Sequence, residues 1–135
     1  MTALTKDRNT KRRDGVQFND PVAASTRIYA GSIVCINGSG YAVPGSTSTT
    51  LKARGVAQGQ VDNSAGTAGA LRVESRRGCF PFANSAAADE ITRADIGAKA
   101  YIVDDQTVAK THGTNTRSEA GVIRDVDSDG VWIEI

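Results

Sequence analysis

The chain has 135 residues, and its 16 Lys and Arg nearly balance its 15 Asp and Glu, leaving a formal net charge of +1. This balance excludes a global field that would attract nucleic acid or an acidic membrane, so we expect neither as a partner. The length suits one domain with one core. No apolar run approaches the roughly 20 residues of a membrane helix. The polar, basic start of the chain predicts no secretory signal.

The apolar residues favour strands over helices. The sequence holds 12 Val and 9 Ile against only 3 Leu. β-Branched side chains lose rotamer freedom in a helix and fit well on a pleated sheet, whereas Leu is among the best helix formers. The 14 Gly residues, with many Ser, Thr, Asn and Asp, supply frequent turns. The composition therefore predicts an all-β fold.

Residues 1–20 are predicted to be a flexible or partner-ordered arm, because they carry too few large apolar side chains to fold alone. The arm is basic. We favour a tether that lies on an acidic protein surface or adds a strand to a partner's sheet edge. Phosphate contacts with nucleic acid and an unbound solvated tail are the alternatives. The predicted partner-binding residues are Lys6, Arg8, Lys11, Arg12, Arg13, Val16 and Phe18.

Residues 21–135 are predicted to form a single β-rich domain. Its first hairpin has a buried strand at residues 32–36, a turn at Asn37-Gly38-Ser39-Gly40 and a returning strand at residues 41–43. A strand at residues 52–61 contains Gly55 and Gly59, and a glycine inside a strand often marks a bulge or a close backbone approach.

Three further patterns complete the body. Residues 71–75 alternate between apolar and charged side chains, which indicates a half-buried strand. The segment Cys79-Phe80-Pro81-Phe82 is predicted to be an edge strand or a strand end, because Pro81 cannot donate to a ladder. Residues 84–98 are the one helical candidate, with Thr92 as a possible N-cap. Strands at residues 101–103 and 107–109 precede a last hairpin around Asp129-Gly130.

These elements predict a small β-barrel or sandwich of about eight to ten short strands, with one short helix and an extended N-terminal arm.

The search for chemistry finds no catalytic site, and we predict no enzyme, no cofactor and no metal. The only histidine, His112, lies in a polar loop with no nucleophile beside it in the sequence. Asp125, Asp127 and Asp129 match the first half of a calcium loop. Glu134 falls at position 10 of that loop, whereas calcium loops need a bidentate Glu at position 12. We favour an exposed hairpin turn and leave open a weak cation site shared with a neighbouring subunit.

The two cysteines, Cys35 and Cys79, have no zinc-site spacing. Two Cys in a chain of this length do not make a disulfide scaffold. We favour buried free thiols over a disulfide.

The order of the short motifs resembles one group of phage head proteins. The motifs are individually small and turn-dominated, and the resemblance covers approximately residues 21–135. They are Ala30-Gly31-Ser32-Ile33-Val34, Gly40-Tyr41-Ala42-Val43-Pro44, Arg54-Gly55-Val56-Ala57, Val73-Glu74-Ser75-Arg76-Arg77-Gly78-Cys79-Phe80, Ile96-Gly97-Ala98-Lys99-Ala100-Tyr101-Ile102-Val103-Asp104-Asp105, Thr107-Val108, Ala120-Gly121-Val122 and Val131-Trp132-Ile133. This pattern is similar to the capsid decoration, or cement, proteins of Mu-like and related Pseudomonas-type siphophages.

The resemblance implies a β-tulip-like body and a minor capsid protein with the role of the lambda head decoration protein. It implies a protein made in the bacterial cytoplasm and placed on the outer surface of the virion. There it would form trimers and clamp neighbouring major capsid subunits. The leading alternative is a β-rich binding module on the virion that recognises carbohydrate or a host surface. An exposed Trp132 in a groove would favour that module.

Overall fold

The computed structural model describes all residues from 1 to 135, and its secondary structure is almost entirely β. About 42% of residues lie in strands and 4% in helical turns. No helix has the length and apolar character needed to cross a membrane. The twelve strands are β1 (Gln17–Pro21), β2 (Thr26–Ile28), β3 (Ile33–Ile36), β4 (Ala42–Pro44), β5 (Lys52–Ala57), β6 (Val61–Asn63), β7 (Arg72–Arg76), β8 (Cys79–Asn84), β9 (Lys99–Ile102), β10 (Thr107–Ala109), β11 (Glu119–Asp127) and β12 (Gly130–Glu134).

The strands form two layers and a small ribbon. The first layer is a five-stranded antiparallel sheet in the order β1-β7-β5-β3-β4. The second is a closed barrel in the order β10-β8-β12-β11-β9. Strands β2 and β6 pair separately as a two-stranded ribbon. The prediction of an all-β barrel fold is confirmed, although the strands number twelve, more than the eight to ten expected.

Two hydrophobic cores hold these layers together. The larger core contains 13 buried residues from β3, β5 and the barrel, and the smaller contains six, among them Val22, Ile28 and Val73. Strand β3 serves both, since Ile33 and Cys35 face the larger core while Val34 faces the smaller one. An uninterrupted apolar run is what a strand buried on both faces requires. The sheet is therefore a shared wall between the two cores.

Strand β5 contains the irregularity that its glycine predicts. Val34 pairs with Gly55 and Cys35 pairs with Ala53, so Arg54 is an extra residue opposite β3. A β-carbon on Gly55 would lie 2.5 Å from the carbonyl oxygen of Arg76 in β7. Both predicted reasons for a glycine inside this strand, a bulge and a close backbone approach, are thus confirmed for Gly55. The prediction is wrong for Gly59, since β5 ends at Ala57 and a β-carbon on Gly59 would meet nothing within 4 Å.

The predicted short helix is replaced by two 3-10 turns, Ala87–Asp89 and Arg93–Asp95. Thr92 is the N-cap of the second turn, as expected. The Asp95 carboxylate accepts a hydrogen bond from the Thr92 backbone N–H at 2.8 Å. Neither turn buries a residue. Without an apolar face to pack, a helix of this length gains too little to propagate.

Residues 17–20, predicted as part of the arm, belong to the body. They form most of β1, which pairs with β7 from Gln17 opposite Arg76 to Pro21 opposite Arg72. The boundary between arm and body therefore moves from residue 20 to residue 16. The physical reason is that β7 supplies a partner strand that the local composition of the arm could not reveal.

Pro81 lies inside β8 and leaves the barrel intact. It pairs with Trp132 of β12, while the parallel neighbour β10 pairs only with Ala83 and Asn84. At Pro81, β8 therefore has a neighbour on the β12 side only. The absent N–H of Pro81 costs no hydrogen bond to β10, which is how Pro is tolerated within a strand.

The two cysteines are free thiols, as predicted, but only one is buried. Cys35 is fully inside the larger core, and burial raises its pKa to about 12. Cys79 is exposed, so the prediction that both thiols are buried is wrong for this residue. Its side chain points away from the core because it alternates with the partly buried Phe80 along β8.

Candidate interaction site

The five predicted arm cations lie together on an extended, exposed segment. Residues 1–16 form no strand or helix, and all of them are exposed. The one ion pair within the segment joins Arg12 to Asp14 at 4.0 Å, with both side chains more than four-fifths exposed. Such a pair contributes little stability. Lys6, Arg8, Lys11, Arg12 and Arg13 are therefore available to a partner.

The structure separates the other two predicted residues, Val16 and Phe18, from that segment. The carbonyl of Val16 accepts a hydrogen bond from the Arg77 N–H at 2.7 Å, and its side chain is 47% exposed. Phe18 lies in β1, where the Arg54 guanidinium stacks 3.5 Å from its ring centroid. Val16 is thus the root of the arm, whereas Phe18 is already engaged within the body.

Arg54 joins this ring to a carboxylate. Its Nε and Nη2 donate to the two oxygens of Asp20 at 2.8 and 3.0 Å, in a bidentate pair. The Asp20 side chain is 14% exposed. A half-buried fork of this kind is stronger than a surface pair. Sequence analysis did not identify this group, because its members are separated by 34 positions along the chain.

Strand β1 is an edge strand, but little of its edge is free. The Val16 carbonyl accepts from the Arg77 N–H and the Val22 N–H donates to the Leu71 carbonyl, at the two ends of β7. By antiparallel alternation, Gln17, Asn19 and Pro21 therefore direct their backbone groups outwards. Pro21 has no N–H. The carbonyl of Asn19 accepts a hydrogen bond from Arg72 Nη2 at 2.6 Å. This edge is therefore blunted against the addition of a long partner strand.

The largest groove, of about 920 Å³, lies between β5 of the sheet and β9 and β11 of the barrel. Lys99 contacts Glu119 at 2.8 Å across its floor, and this hydrogen bond raises the pKa of Lys99. Arg117 also lines the groove and contacts Asp89 at 3.2 Å. A hydrogen bond from the Thr111 hydroxyl, aided by Arg117, lowers the pKa of Asp89. Two of the four cations that line the groove, Lys99 and Arg117, are thus paired with carboxylates, whereas Lys52 and Arg77 form no ion pair.

His112 lies at the rim of that groove. Its Nδ1 accepts a hydrogen bond from the Asn115 N–H at 2.9 Å, and its ring meets Tyr101 edge-on with centroids 5.9 Å apart. An Nδ1 that accepts this bond has its lone pair occupied. The histidine thus holds its own loop in shape through Nδ1.

The acidic segment at the end of β11 forms the predicted hairpin with β12, in which Asp127 pairs with Gly130. Its carboxylates have separate partners. Asp125 accepts from Arg93 Nη1 at 2.7 Å, which lowers the pKa of Asp125. Asp127 accepts from the Asp129 N–H at 2.8 Å. The carboxylates do not converge on a point, and the chain has no cluster of His, Cys, Asp and Glu arranged to hold a metal ion.

Trp132, the residue that would carry the binding-module alternative, is half-buried in β12. Its indole Nε1 donates to Asp127 Oδ2 at 2.9 Å. Trp132 does not line the large groove. It therefore offers no stacking platform there.

Two arginines beside the root of the arm are absent from the predicted partner-binding residues. Arg76 ends β7, and Arg77 follows it with its backbone bonded to Val16. The signal available in the sequence was the adjacent pair Arg76-Arg77 after an alternating strand. Its meaning depends on β1 lying beside β7, which only the fold establishes.

Comparisons with known proteins add no relative, since no family model, curated protein or solved structure matches this chain.

Proposed function

We propose that the chain is a non-catalytic decoration protein of a tailed-phage head. In this role it binds the outer surface of the capsid lattice and stabilises contacts between major capsid subunits. The order of sequence motifs supports the class of protein, and the geometry of the arm supports the mode of action. The protein is made in the cytoplasm of the host bacterium and acts on the virion.

The observation that carries the proposal is the exposed basic arm on a closed β body. Residues 1–16 have no strand partner, and their cations lack strong ion pairs. Extended at about 3.3 Å per residue, such a segment reaches about 50 Å. That reach exceeds the width of a single small domain. The arm therefore suits a contact with a neighbouring subunit of a larger assembly.

A trimer turns weak contacts into stable attachment. We propose that three copies associate with closed symmetry, the arrangement that the sequence resemblance implies. Three arms on one trimer then contact several lattice subunits at once. Each contact after the first forms at a high effective concentration, so the whole binds far more tightly than one arm.

Removal of residues 1–14 tests the tether. We expect the truncated protein to keep its fold and to lose binding to expanded heads that lack decoration, because the arm cations are gone. Cosedimentation with purified heads measures this. A full-length variant with Gln at all five cations, K6Q/R8Q/K11Q/R12Q/R13Q, separates charge from length. Unimpaired cosedimentation of both variants would exclude the tether.

A further inference from the structure

Half of the positive charges in this protein have no negative partner. Eight of the 16 Lys and Arg residues form ion pairs with a carboxylate. Of the remaining eight, four lie on the arm, at Lys6, Arg8, Lys11 and Arg13. The other four are Lys52, Arg72, Arg76 and Arg77. Of these, Arg76 and Arg77 lie beside Gln17 and Val16, and we define these two as the arm-root cations.

The arm-root cations lie at the end of β7, beside the first residues of β1. Arg72 and Arg76 are exposed on β7, opposite Pro21 and Gln17 of β1. Arg77 is bonded through its backbone to Val16, and it lines the same groove as Lys52. The body therefore extends the positive charge of the arm around the point where the arm begins.

The unpaired acids of the barrel lie at its other end. Along β8, Cys79 pairs with Glu134 while Phe82 pairs with Val131, so the β11–β12 turn with Asp127 and Asp129 lies beyond Phe82. Strand β8 separates the two ends by about 17 Å at a rise of about 3.3 Å per residue.

We propose that the arm-root cations are the contact face of the body, and that their partner is a carboxylate-rich protein surface. This inference rests on the proposed function and adds the orientation of the body on the shell. The end of the body that carries the arm-root cations faces the lattice, and the Asp127–Asp129 turn points away from it. The opposite orientation would bring unpaired carboxylates against an acidic surface, where like charges repel.

The arm-root cations have no carboxylate side chain as a partner. Arg76 forms no ion pair, and the Arg77 Nε donates to the carbonyl oxygen of Ile135 at 3.2 Å, which orients this side chain and leaves its terminal N–H groups without a partner. Arginine presents a planar fork that matches a carboxylate with two parallel hydrogen bonds. No existing ion pair has to be broken when such a partner arrives.

The pattern of charge favours a protein over a nucleic acid as the partner. On the exposed face of β7, Glu74 lies between Arg72 and Arg76. A phosphate backbone has uniform negative charge and would be repelled at that position. The nearest aromatic ring, Phe18, is covered by Arg54 and cannot stack on a base. A carboxylate-rich protein surface, unlike a phosphate backbone, can place a neutral or basic side chain opposite Glu74 and its carboxylates opposite the arginines.

The double variant R76Q/R77Q tests the contact face. At physiological salt we expect its affinity for expanded, undecorated heads to fall by about tenfold or more, since two charge-assisted contacts are lost. R76K/R77K should retain most of the affinity. Cosedimentation over a range of head concentrations measures the change, and thermal melting confirms that each variant is folded.

The matched control is R27Q/R93Q, which removes the same charge from two exposed arginines that already have partners, Asp62 and Asp125. It should bind heads as the unaltered chain does. Equal binding by R76Q/R77Q and this control overturns the contact face and leaves the tether standing. Failure of the unaltered chain to bind heads overturns both proposals. If R76Q/R77Q weakens binding to a short DNA duplex but not to heads, the partner is a nucleic acid and the inference is wrong.

Discussion

Gly55 shows how one residue lets two strands approach each other. The bulge at Arg54 brings the backbone of β5 against β7. A β-carbon built on Gly55 would lie only 2.5 Å from the Arg76 carbonyl oxygen. That carbonyl is backbone and cannot move aside as a flexible side chain would. Any larger residue must therefore displace a strand.

We expect Gly55→Ala to destabilise the protein by about 1–3 kcal/mol, the usual cost of overpacking a tight site. Urea denaturation followed by tryptophan fluorescence measures the change. Gly38→Ala is the matched control, because a β-carbon on Gly38 meets nothing within 4 Å. Its stability should stay within about 0.5 kcal/mol of the unaltered chain. Equal stabilities of the two variants would contradict the close approach.

The residues around Arg54 explain why Phe18 is part of the body. The guanidinium faces the Phe18 ring and at the same time forms a bidentate pair with Asp20. Cation–π and charge-assisted contacts reinforce each other here, because one planar group makes both. An aromatic residue held in this way is not available to anchor a partner.

At the scale of elements, β1 joins the exposed arm, residues 1–16, to the five-stranded sheet. Its hydrogen bonds to β7 begin at Val16, and the Val22–Ala42 bridge at its other end ties it to β4. The five-stranded sheet is thereby drawn round the smaller core. Removing β1 would expose the edge of β7 and one side of that core.

Two truncations separate the arm from the strand. Removal of residues 1–14 should leave the melting temperature unchanged, because none of these residues contributes to a sheet. Removal of residues 1–20 should cost more than about 2 kcal/mol, since it deletes a paired strand and the partner of Arg54. Differential scanning calorimetry compares the two. Identical melting curves would show that β1 does not stabilise the body.

At the scale of the whole molecule, ion pairs join segments that are far apart in sequence. Arg27 contacts Asp62 at 2.6 Å between β2 and β6, and the pKa of Asp62 is lowered well below its usual range by that hydrogen bond. The pKa of Asp95 is lowered chiefly by the Thr92 N–H, with help from Lys110. Asp89 and Asp125 have lowered pKa values for similar reasons.

These carboxylates make the fold sensitive to acid. Each has a folded-state pKa below the ordinary 3.8, so the unfolded chain binds protons more readily than the folded one. The stabilisation is complete above that value and is lost as pH falls through the folded-state pKa values. We expect the melting temperature to drop between about pH 5 and about pH 2. Asp62→Asn should melt lower at neutral pH and decline less steeply in acid. A melting temperature that does not change over this range would contradict these assignments.

Several features of the fold could be predicted because their causes are local. The excess of Val and Ile predicts strands, and each hairpin is set by turn residues. Asn37 is an example, since its side-chain oxygen accepts hydrogen bonds from the N–H groups of Ser39 and Tyr41 at 3.0 Å. The basic character of residues 6–13 is likewise a property of the sequence itself. None of these features depends on which strand lies beside which.

Other features arise only when distant strands meet, and for that reason composition and spacing could not predict them. Residues 17–20 become a strand because β7 supplies hydrogen-bond partners, and Phe18 is engaged because Arg54 arrives from β5. Cys79 is exposed by its position on the barrel wall. Arg76 and Arg77 lie beside the arm because β1 pairs with β7. Local propensities determined what kind of structure this chain forms, whereas long-range pairing decided which side chains remain free to act.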